Sequence, residues 1–344
     1  MRKVFIVILV LLLIAGAASA ALVGIGYYLN SPVEGSTTNS ESRENSFNVS
    51  PGEAVSVTAE RLAEKGHVRS KYLFIALSKL RQTQASIKSG YYSISNTMTT
   101  VEIHNMLVAG TQQLVKVTLA EGLTARQIGA RFEEAGVTVQ DDFLDAIDSQ
   151  SILNRFKIEA DSLEGYLYPD TYLFQEDYPA EKVVTHLVET MFEKLQEIYP
   201  EYTQLEWKEL HSKIILASIV EREYRDPEEA AKIASVFYNR LERGMRLQSC
   251  ATVVYVMTEI QGEAHPEKIT FNDLEIESKY NTYTEWGLPP APIANPGIVA
   301  LRAVFYPADT ESLYFLLKDP DAGQHVFTKT LNDHNRAYRL YIKQ

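Results

Sequence analysis

Hydrophobic and polar residues divide the chain into three regions of different character. Arg2 and Lys3 precede an uncharged and mostly apolar stretch over residues 4–30. At about 1.5 Å per helical residue, this stretch is long enough to cross a bilayer with some tilt. Residues 31–51 are rich in Ser, Thr, Asn and Glu, which predicts a flexible linker. From residue 52 onward, short apolar periodicities continue to the end of the chain and predict folded structure.

The apolar stretch is typical of either a retained transmembrane anchor or a cleaved signal peptide. Ala18-Ser19-Ala20 matches a cleavage site, but apolar residues continue beyond it and end at Tyr27-Tyr28, which suit a membrane interface. We therefore expect a single-pass anchor over residues 4–30 and a cytoplasmic tail of residues 1–3. The positive charges before the span predict an N-terminus inside the cytoplasmic membrane and a body outside it.

Residues 52–150 alternate between short extended and helical patterns. Extended patterns occupy residues 54–59, 87–94 and 114–119, and helical patterns occupy residues 59–65, 71–80, 99–108 and 124–135. Small β-α-α-β units of this kind resemble LysM-like modules, which bind N-acetylglucosamine polymers. A packing module without a ligand is equally consistent with the pattern.

Longer elements follow over residues 151–344. Apolar stripes predict helices over residues 180–198 and 207–223, and Asp226-Pro227 predicts the start of another that ends at Gly244. Residues 313–317 and 325–327 predict a hairpin, and residues 332–342 predict a final helix. The expected fold class is α+β, with one transmembrane helix, a LysM-like α/β module and a mixed α+β domain.

Glu221 is the first candidate for chemistry, because the apolar run from Ile214 to Val220 ends abruptly at this residue. Apolar surroundings disfavour a carboxylate, raise its pKa and make it a candidate proton donor. Glu223 lies about 200° further around the helix, so the two glutamates should not share one face. Ala217 and Ser218, one turn earlier, would leave room for a substrate. Two solvated charges at a helix end are the alternative.

Composition argues against several functions. The formal net charge is −12, so the chain should be repelled by nucleic-acid backbones. A single cysteine, Cys250, excludes an internal disulfide framework, and seven histidines without metal-ligand spacing make a metal site improbable. We expect no metal and no cofactor. We also expect Cys250 to be a small buried residue rather than a nucleophile, within a polar connection over residues 247–252.

Five motifs then connect the chain with a known family. They are LEGYLYPDTY at residues 163–172, ASIVEREY at 217–224, IASVFYNRLERGMRLQS at 233–249, YNTYTEWGLPPAPIANPG at 280–297, and LYFLLKD with HVFTKTLNDHN between 313 and 335. In this order they resemble the YceG-like endolytic murein transglycosylases. The resemblance implies that Glu221, the glutamate of ASIVE, is the catalytic acid/base. Many members have Asp-Pro where this chain has Cys250-Ala251.

The resemblance implies an endolytic lytic transglycosylase with its catalytic domain over residues 151–344. Such an enzyme cleaves nascent peptidoglycan glycan strands at the MurNAc–GlcNAc bond outside the cytoplasmic membrane, leaves 1,6-anhydro-MurNAc ends and so terminates strand elongation. Its partners would be the glycan strands and the enzymes of cell-wall synthesis. The alternative is a non-catalytic, membrane-anchored scaffold that binds peptidoglycan through residues 52–150.

Further site residues follow from motif position and side-chain type. We expect Glu223 to support Glu221 within a polar network. The residues expected to contact the glycan, each equally consistent with a structural role, are Tyr238, Asn239, Gln248, Asn281 and Tyr283. Glu164 could supply a second polar group for substrate binding. Three tyrosines, Tyr166, Tyr168 and Tyr172, could line a sugar platform or belong to the core.

Overall fold

The computed structural model describes residues 2–33, 46–95, 97–110, 114–319 and 321–342. The chain forms two compact units. The first comprises residues 1–115 together with 173–178, and the second comprises residues 116–172 and 179–344. Helices and strands occur in both units, which confirms the predicted mixed α+β fold.

The first unit contains a β-α-α-β arrangement followed by one more helix. Its elements are α1 Arg2–Asn30, β1 Ser46–Val49, α2 Val55–Glu64, α3 Lys71–Leu80, β2 Gly90–Ser93 and α4 Thr100–Ala109. Strands β1 and β2 pair antiparallel, with Phe47 opposite Tyr92. Both side chains are buried in a core that also contains Leu62, Phe74 and Ile103.

Helix α1 contains an apolar segment, Leu12–Asn30, of 19 residues that is long enough to cross a membrane. None of the segment is buried within the protein. A signal sequence has the same length and composition, so α1 is either a membrane anchor or a signal sequence.

The second unit contains most of the helices and a C-terminal hairpin. Strands β3 Leu114–Thr118 and β4 Thr171–Gln175 each contain residues of both units. The helices of the second unit begin with α5 Ala125–Glu134, α6 Gln140–Ile147, α7 Gln150–Phe156, α8 Ala180–Ile198, α9 Trp207–Glu223 and α10 Ala230–Glu242. The unit continues with α11 Cys250–Tyr255, α12 Ile298–Phe305, β5 Tyr314–Asp319, β6 Gln324–Thr328 and α13 Leu331–Tyr341. Strands β5 and β6 pair antiparallel, as the hairpin pattern predicts.

Helix α9 is the centre of the second unit. Its seven residues from Ile214 to Val220 are all buried, and the helix packs against α10, α11 and α12. A helix that is apolar on every face requires such surroundings. It ends at Glu223 because Tyr224 adopts an extended backbone, with φ −76° and ψ 149°. The predicted helices over residues 180–198 and 207–223 are both confirmed with these bounds.

Two predictions for the first unit need correction. Residues 55–58 belong to α2 rather than to a strand, because Val55, Ala59 and Leu62 recur at helical spacing and face the core. Part of the predicted linker, Ser46–Val49, forms β1, since Phe47 and Val49 supply apolar side chains to the core. Residues 34–45 of that linker lie outside the described residues.

Two further corrections concern the second unit. We predicted a domain boundary near residue 150, whereas the two units divide at residues 115 and 116. Helix α6 packs against α8, and the N–H of Leu163 bonds to the carbonyl oxygen of Ile147 at 3.0 Å, so these residues belong to the C-terminal unit. The predicted polar connection over residues 247–252 contains the start of α11 at Cys250.

Candidate active site

Glu221 is the position at which α9 emerges from the core. Its side chain is partly buried, and both carboxyl oxygens have hydrogen-bond partners. The backbone N–H of Gly297 donates to Oε2 at 2.8 Å, and the Tyr224 hydroxyl bonds to Oε1 at 3.1 Å. The carboxyl group is therefore held in one orientation at the edge of an apolar helix.

The surroundings of Glu221 favour its protonated form. Burial raises the pKa of Glu221 to about 7, the Gly297 N–H opposes that rise, and the charge of Glu121 adds to it. Tyr224 and Arg222 also act to lower the pKa. A carboxyl group with a pKa of about 7 exists as both acid and base near neutral pH. It can therefore donate a proton and take one back.

The residues one turn before Glu221 do not leave the space that we expected. Ala217 and Ser218 are completely buried. The Ser218 hydroxyl donates to the carbonyl oxygen of Ile215 at 2.7 Å and accepts from the N–H of Ile293 at 3.0 Å. These small residues let the loop before α12 pack closely against α9. They do not form a substrate pocket.

Glu121 is a second carboxylate near Glu221 that our sequence analysis missed. It is exposed and follows β3, next to Gly122. Gly122 has a φ of +75°, which glycine tolerates best. A β-carbon at Gly122 would lie 3.5 Å from Cγ of Glu221, so the turn is in contact with the candidate acid. The available signal was an acidic residue beside a turn glycine directly after a predicted strand.

Asn295 joins three parts of the site and was also missed. Its Oδ1 accepts from the N–H groups of Gly165 and Leu167, both at 2.9 Å. Its Nδ2 donates to Glu164 at 2.7 Å and to the carbonyl oxygen of Leu123 at 3.0 Å. One buried side chain thus holds the LEGYLYP segment, the turn after β3 and the IANPG loop together.

A cavity of about 680 Å³ lies beside Glu223. Gln248, Cys250 and Tyr283 also line it. Glu223 accepts a hydrogen bond from the Ser249 hydroxyl, and burial raises the pKa of its carboxyl group. Glu221 and Glu223 therefore have different partners, as their separation around the helix predicts. Three of the predicted site residues, Glu223, Gln248 and Tyr283, are brought together at this cavity.

Known proteins of similar sequence identify the family of this chain. The sequence model of the YceG-like family matches residues 47–340. The chain belongs to the YceG-like family. It is 32% identical over 316 residues to an endolytic murein transglycosylase of Bacillus subtilis (strain 168), covering 86% of this chain and 84% of that protein.

Two more proteins of related name are similar to this chain. An endolytic murein transglycosylase of Streptococcus pneumoniae (strain D39) is 27% identical over 323 residues, which cover 85% of this chain and 57% of that protein. A crystal structure of a yceG-like protein from Listeria monocytogenes superimposes with a TM-score of 0.57 at 32% identity, covering 85% of this chain and 98% of that one. The predicted membership of the YceG-like family is thus confirmed.

Several side chains that we expected to contact substrate have structural partners in this YceG-like protein. Asn281 is completely buried and donates to the carbonyl oxygens of Leu274 and Ile276 at 3.0 and 2.8 Å. Glu164 is 8% exposed and accepts from the N–H of Ala125 at 2.9 Å, besides its bond to Asn295. Both side chains are therefore buried and engaged by the protein's own groups, which favours a structural role for each.

Tyr238 and Asn239 are partly buried, and their polar atoms bond to the backbone. The Tyr238 hydroxyl donates to the carbonyl oxygen of Val304 at 3.0 Å, and Asn239 Nδ2 donates to those of Thr310 and Ser312 at 2.8 and 3.0 Å. These bonds tie α10 to α12 and to the segment before β5. Both side chains therefore stabilise the packing of α10 against its neighbours.

The tyrosines of the LEGYLYPDTY segment belong to the core. Tyr166 is completely buried and bonds to Nδ1 of His211 at 2.8 Å, whereas Tyr168 and Tyr172 are almost fully buried. The Tyr172 hydroxyl donates to the carbonyl oxygen of Tyr168 at 2.7 Å. The sugar platform that was one interpretation of this segment is therefore not formed by these rings.

Cys250 departs from our expectation because it is exposed. Its Sγ lies 3.0 Å from the Tyr283 hydroxyl oxygen at the cavity. Although the residue is exposed overall, the protein atoms around its sulfur partly exclude water and raise the pKa of Cys250, so the thiolate is disfavoured. Among the described residues, no three His, Cys, Asp or Glu side chains are arranged to hold a metal ion.

Proposed function

We propose that this protein is an endolytic lytic transglycosylase that cleaves peptidoglycan glycan strands at the MurNAc–GlcNAc bond. The observation that carries the proposal is the environment of Glu221, a fixed and partly buried carboxyl group with a pKa of about 7. The names of the relatives from Bacillus subtilis and Streptococcus pneumoniae support the same reaction and substrate class. Cleavage within nascent strands would limit their length.

One carboxyl group suffices for both proton transfers of this reaction. Protonated Glu221 donates its proton to the glycosidic oxygen as the bond from MurNAc C1 breaks, which leaves an oxocarbenium-like sugar. The C6 hydroxyl of the same sugar then attacks C1, and its proton returns to Glu221. The products are a GlcNAc hydroxyl and a 1,6-anhydro-MurNAc end, without consumption of water.

The polar side chains that line the cavity beside Glu223 are suited to binding the glycan. Gln248 is exposed there, and its backbone has a φ of +53°, a strained conformation for a residue other than glycine. Its N–H bonds to the carbonyl oxygen of Thr282 at 3.0 Å, which keeps the side chain at the opening. We assign Gln248 and Tyr283 to glycan contacts and Glu223 to the supporting polar network.

The experiment compares the full-length protein with Glu221→Gln and with Glu159→Gln, an exposed control in the same unit. Each is incubated in detergent with uncrosslinked glycan strands, and the products are analysed by mass spectrometry. Anhydro-muramyl ends from the wild type and the control, but not from Glu221→Gln, are the expected result. Reducing ends that carry the mass of water would indicate a hydrolase instead. Absence of any product would favour the non-catalytic scaffold.

The end of α1 supports a retained anchor. Arg69 Nη2 donates to the carbonyl oxygen of Pro32 at 2.6 Å, and its guanidinium carbon lies 5.0 Å from the centre of the Tyr28 ring. The N–H of Val101 donates to Asn30 Oδ1 at 3.0 Å. These contacts fix the last turn of α1 to the first unit. We propose a single-pass protein of the cytoplasmic membrane with its N-terminus inside and its catalytic unit outside.

N-terminal sequencing of the membrane-associated protein tests the anchor. A chain that begins at or near residue 1 is expected, whereas a chain that begins after Ala20 would identify a cleaved signal peptide. Enzymes of cell-wall synthesis are the partners that such an anchored enzyme would meet. Co-purification of a glycan polymerase with the full-length protein from detergent-solubilised membranes tests that association, and its absence under mild crosslinking would contradict it.

The first unit supports a LysM-like role in glycan binding. Its β1-α2-α3-β2 order, with the two strands antiparallel, is the β-α-α-β order of LysM-like modules, although β1 lies earlier in the chain than the extended pattern that we predicted. Retention of the Glu221→Gln protein on insoluble chitin, an N-acetylglucosamine polymer, tests this proposal. Elution with the void volume would leave the first unit as a packing module.

A further inference from the structure

The Glu121–Gly122 turn is fixed to the immediate neighbours of Glu221. The N–H of Gly122 donates to the carbonyl oxygen of Asn295 at 2.9 Å. Arg222, which follows Glu221 in α9, donates from Nη1 to the carbonyl oxygen of Gly122 at 3.0 Å. The backbone that carries Glu121 is thus held on two sides, so the position of this carboxylate is a built feature of the site.

The carboxylate of Glu121 lies against Gly297. A β-carbon at Gly297 would come within 2.1 Å of Glu121 Oε1 and 2.4 Å of Cδ. The N–H of the same glycine donates to Glu221 Oε2 at 2.8 Å. Two carboxyl groups therefore flank a single residue, whose lack of a side chain permits the approach of the exposed one.

Tyr224 bonds to one of these carboxyl groups and interacts with the charge of the other. Its hydroxyl bonds to Glu221 Oε1 at 3.1 Å. Burial raises the pKa of the Tyr224 hydroxyl, and interactions with Glu221 and with Glu121 raise it further. A hydroxyl group has one hydrogen, so it cannot donate fully to two carboxylates at once. If one of the two carboxyl groups carries a proton, the repulsion between two negative charges is removed and the hydroxyl needs to donate to only one carboxylate.

We propose that Glu121 is a positioning residue for the proposed transglycosylase reaction: its carboxylate orients the Tyr224 hydroxyl and places a negative charge beside Glu221, so that Glu221 is the group that holds the proton. The inference rests on the proposed function for its catalytic meaning. The positions of Gly297 against Glu121, of Gly122 against Glu221 and of the Tyr224 hydroxyl at Glu221 are the observations behind it.

Electrostatics agree with this assignment. The charged and titratable groups with the largest effects on Glu221 are Glu121, Tyr224 and Arg222. Burial accounts for most of the rise in the pKa of Glu221, and the like charge of Glu121 adds to it, whereas Tyr224 and Arg222 act in the opposite direction. Loss of the charge on Glu121 should lower the pKa of Glu221. Less of the acid would then be protonated at neutral pH.

The experiment measures the release of anhydro-muramyl ends between pH 5 and pH 9 by the full-length protein in detergent. The variants are Glu121→Gln and the exposed control Glu159→Gln. The alkaline limb of the Glu121→Gln profile should move toward acid by about one pH unit. Its rate should then be roughly eightfold below wild type at pH 7.5 and within about twofold at pH 5.5. The control should follow the wild type throughout.

A Glu121→Gln profile with an unchanged alkaline midpoint would overturn the proposal, whatever the overall rate. Glu121→Ala removes the same charge without an amide and serves if Glu121→Gln fails to fold. A ¹³C NMR titration of the Glu221 carboxyl carbon, assigned by its loss in Glu221→Gln, requires no substrate. If the wild type cleaves nothing, the proposed function fails, and this titration still decides the inference: a lower midpoint in Glu121→Gln supports it, and an equal midpoint overturns it.

Discussion

The backbone N–H of Gly297 bonds to Oε2 of Glu221 at 2.8 Å, although 76 residues separate them in sequence. This bond joins the end of α9 to the loop before α12. It occupies Oε2, while Oε1 accepts a hydrogen bond from the Tyr224 hydroxyl. A proton donor whose orientation is held in advance loses less entropy on reaching the geometry of reaction.

Gly297→Ala should displace Glu121 without unfolding the protein. The backbone at Gly297, with φ −88° and ψ −174°, is open to any residue, but the new β-carbon would lie 2.1 Å from Glu121 Oε1. Because the Glu121 side chain is exposed and can turn into solvent when displaced, the free energy of unfolding should fall by less than about 1 kcal/mol. We expect an acid-shifted pH–rate profile like that of Glu121→Gln. The double variant should shift no further than either single variant, and independent, additive shifts would contradict a common cause.

Glu223→Gln should retain activity. Glu223 accepts from the Ser249 hydroxyl at the cavity, and an amide oxygen can accept the same bond. We expect a cleavage rate within about tenfold of wild type, with an unchanged pH optimum, since the proton transfers are assigned to Glu221. Product analysis beside Glu221→Gln provides the comparison. Equal and complete loss in both variants would mean that the roles of the two glutamates are misassigned.

Asn295→Ala should strongly destabilise the second unit. The change leaves the buried N–H groups of Gly165 and Leu167 without their partner and removes one of the hydrogen bonds to the carboxyl group of Glu164. Buried groups that lose a partner cost about 1–3 kcal/mol each, so a loss on the order of 3 kcal/mol is expected. Urea unfolding measures it, with the exposed Asn332→Ala as control. Equal unfolding midpoints for the two variants would refute this role of Asn295.

His67 should make the first unit sensitive to acid. Its ring is buried against Phe47, and neither ring nitrogen has a hydrogen-bond partner among the residues that the structure describes. Burial, together with the charge of Lys65, lowers the pKa of the imidazole. The folded state therefore favours the neutral ring. Its contribution to stability is complete above the unfolded pKa of about 6.5 and is lost as pH falls through the lower folded value.

Amide hydrogen exchange of α2 at pH 7.5 and pH 5 tests this dependence. Exchange should be faster at pH 5 than the intrinsic pH effect accounts for, and His67→Leu should reduce that difference. His265→Leu, at an exposed position, is the matched control and should behave as the wild type. An identical pH dependence in wild type and His67→Leu would exclude His67 as the source.

Local physics made much of the second unit predictable. The apolar stripe of α8 and the apolar run of α9 identify both helices, because helical periodicity is visible within one element. The end of that run at Glu221 also marks the candidate acid. In α2 the same reasoning chose an extended structure, since Val55 and Val57 alternate over a few residues while the helical contacts lie further along the chain.

The network around Glu221 depends on residues that sequence patterns do not connect. Glu121, Tyr224 and Gly297 belong to three separate segments, and the bond from Gly165 to Asn295 spans 130 residues. Hydrophobic periodicity shows which face of a helix or strand is buried, but it does not show which distant segment of the chain packs against that face. The sequence by itself therefore determined the long helices α8 and α9, the family and the candidate acid. The tertiary structure decided which groups surround that acid, because their contacts form only when distant segments pack together.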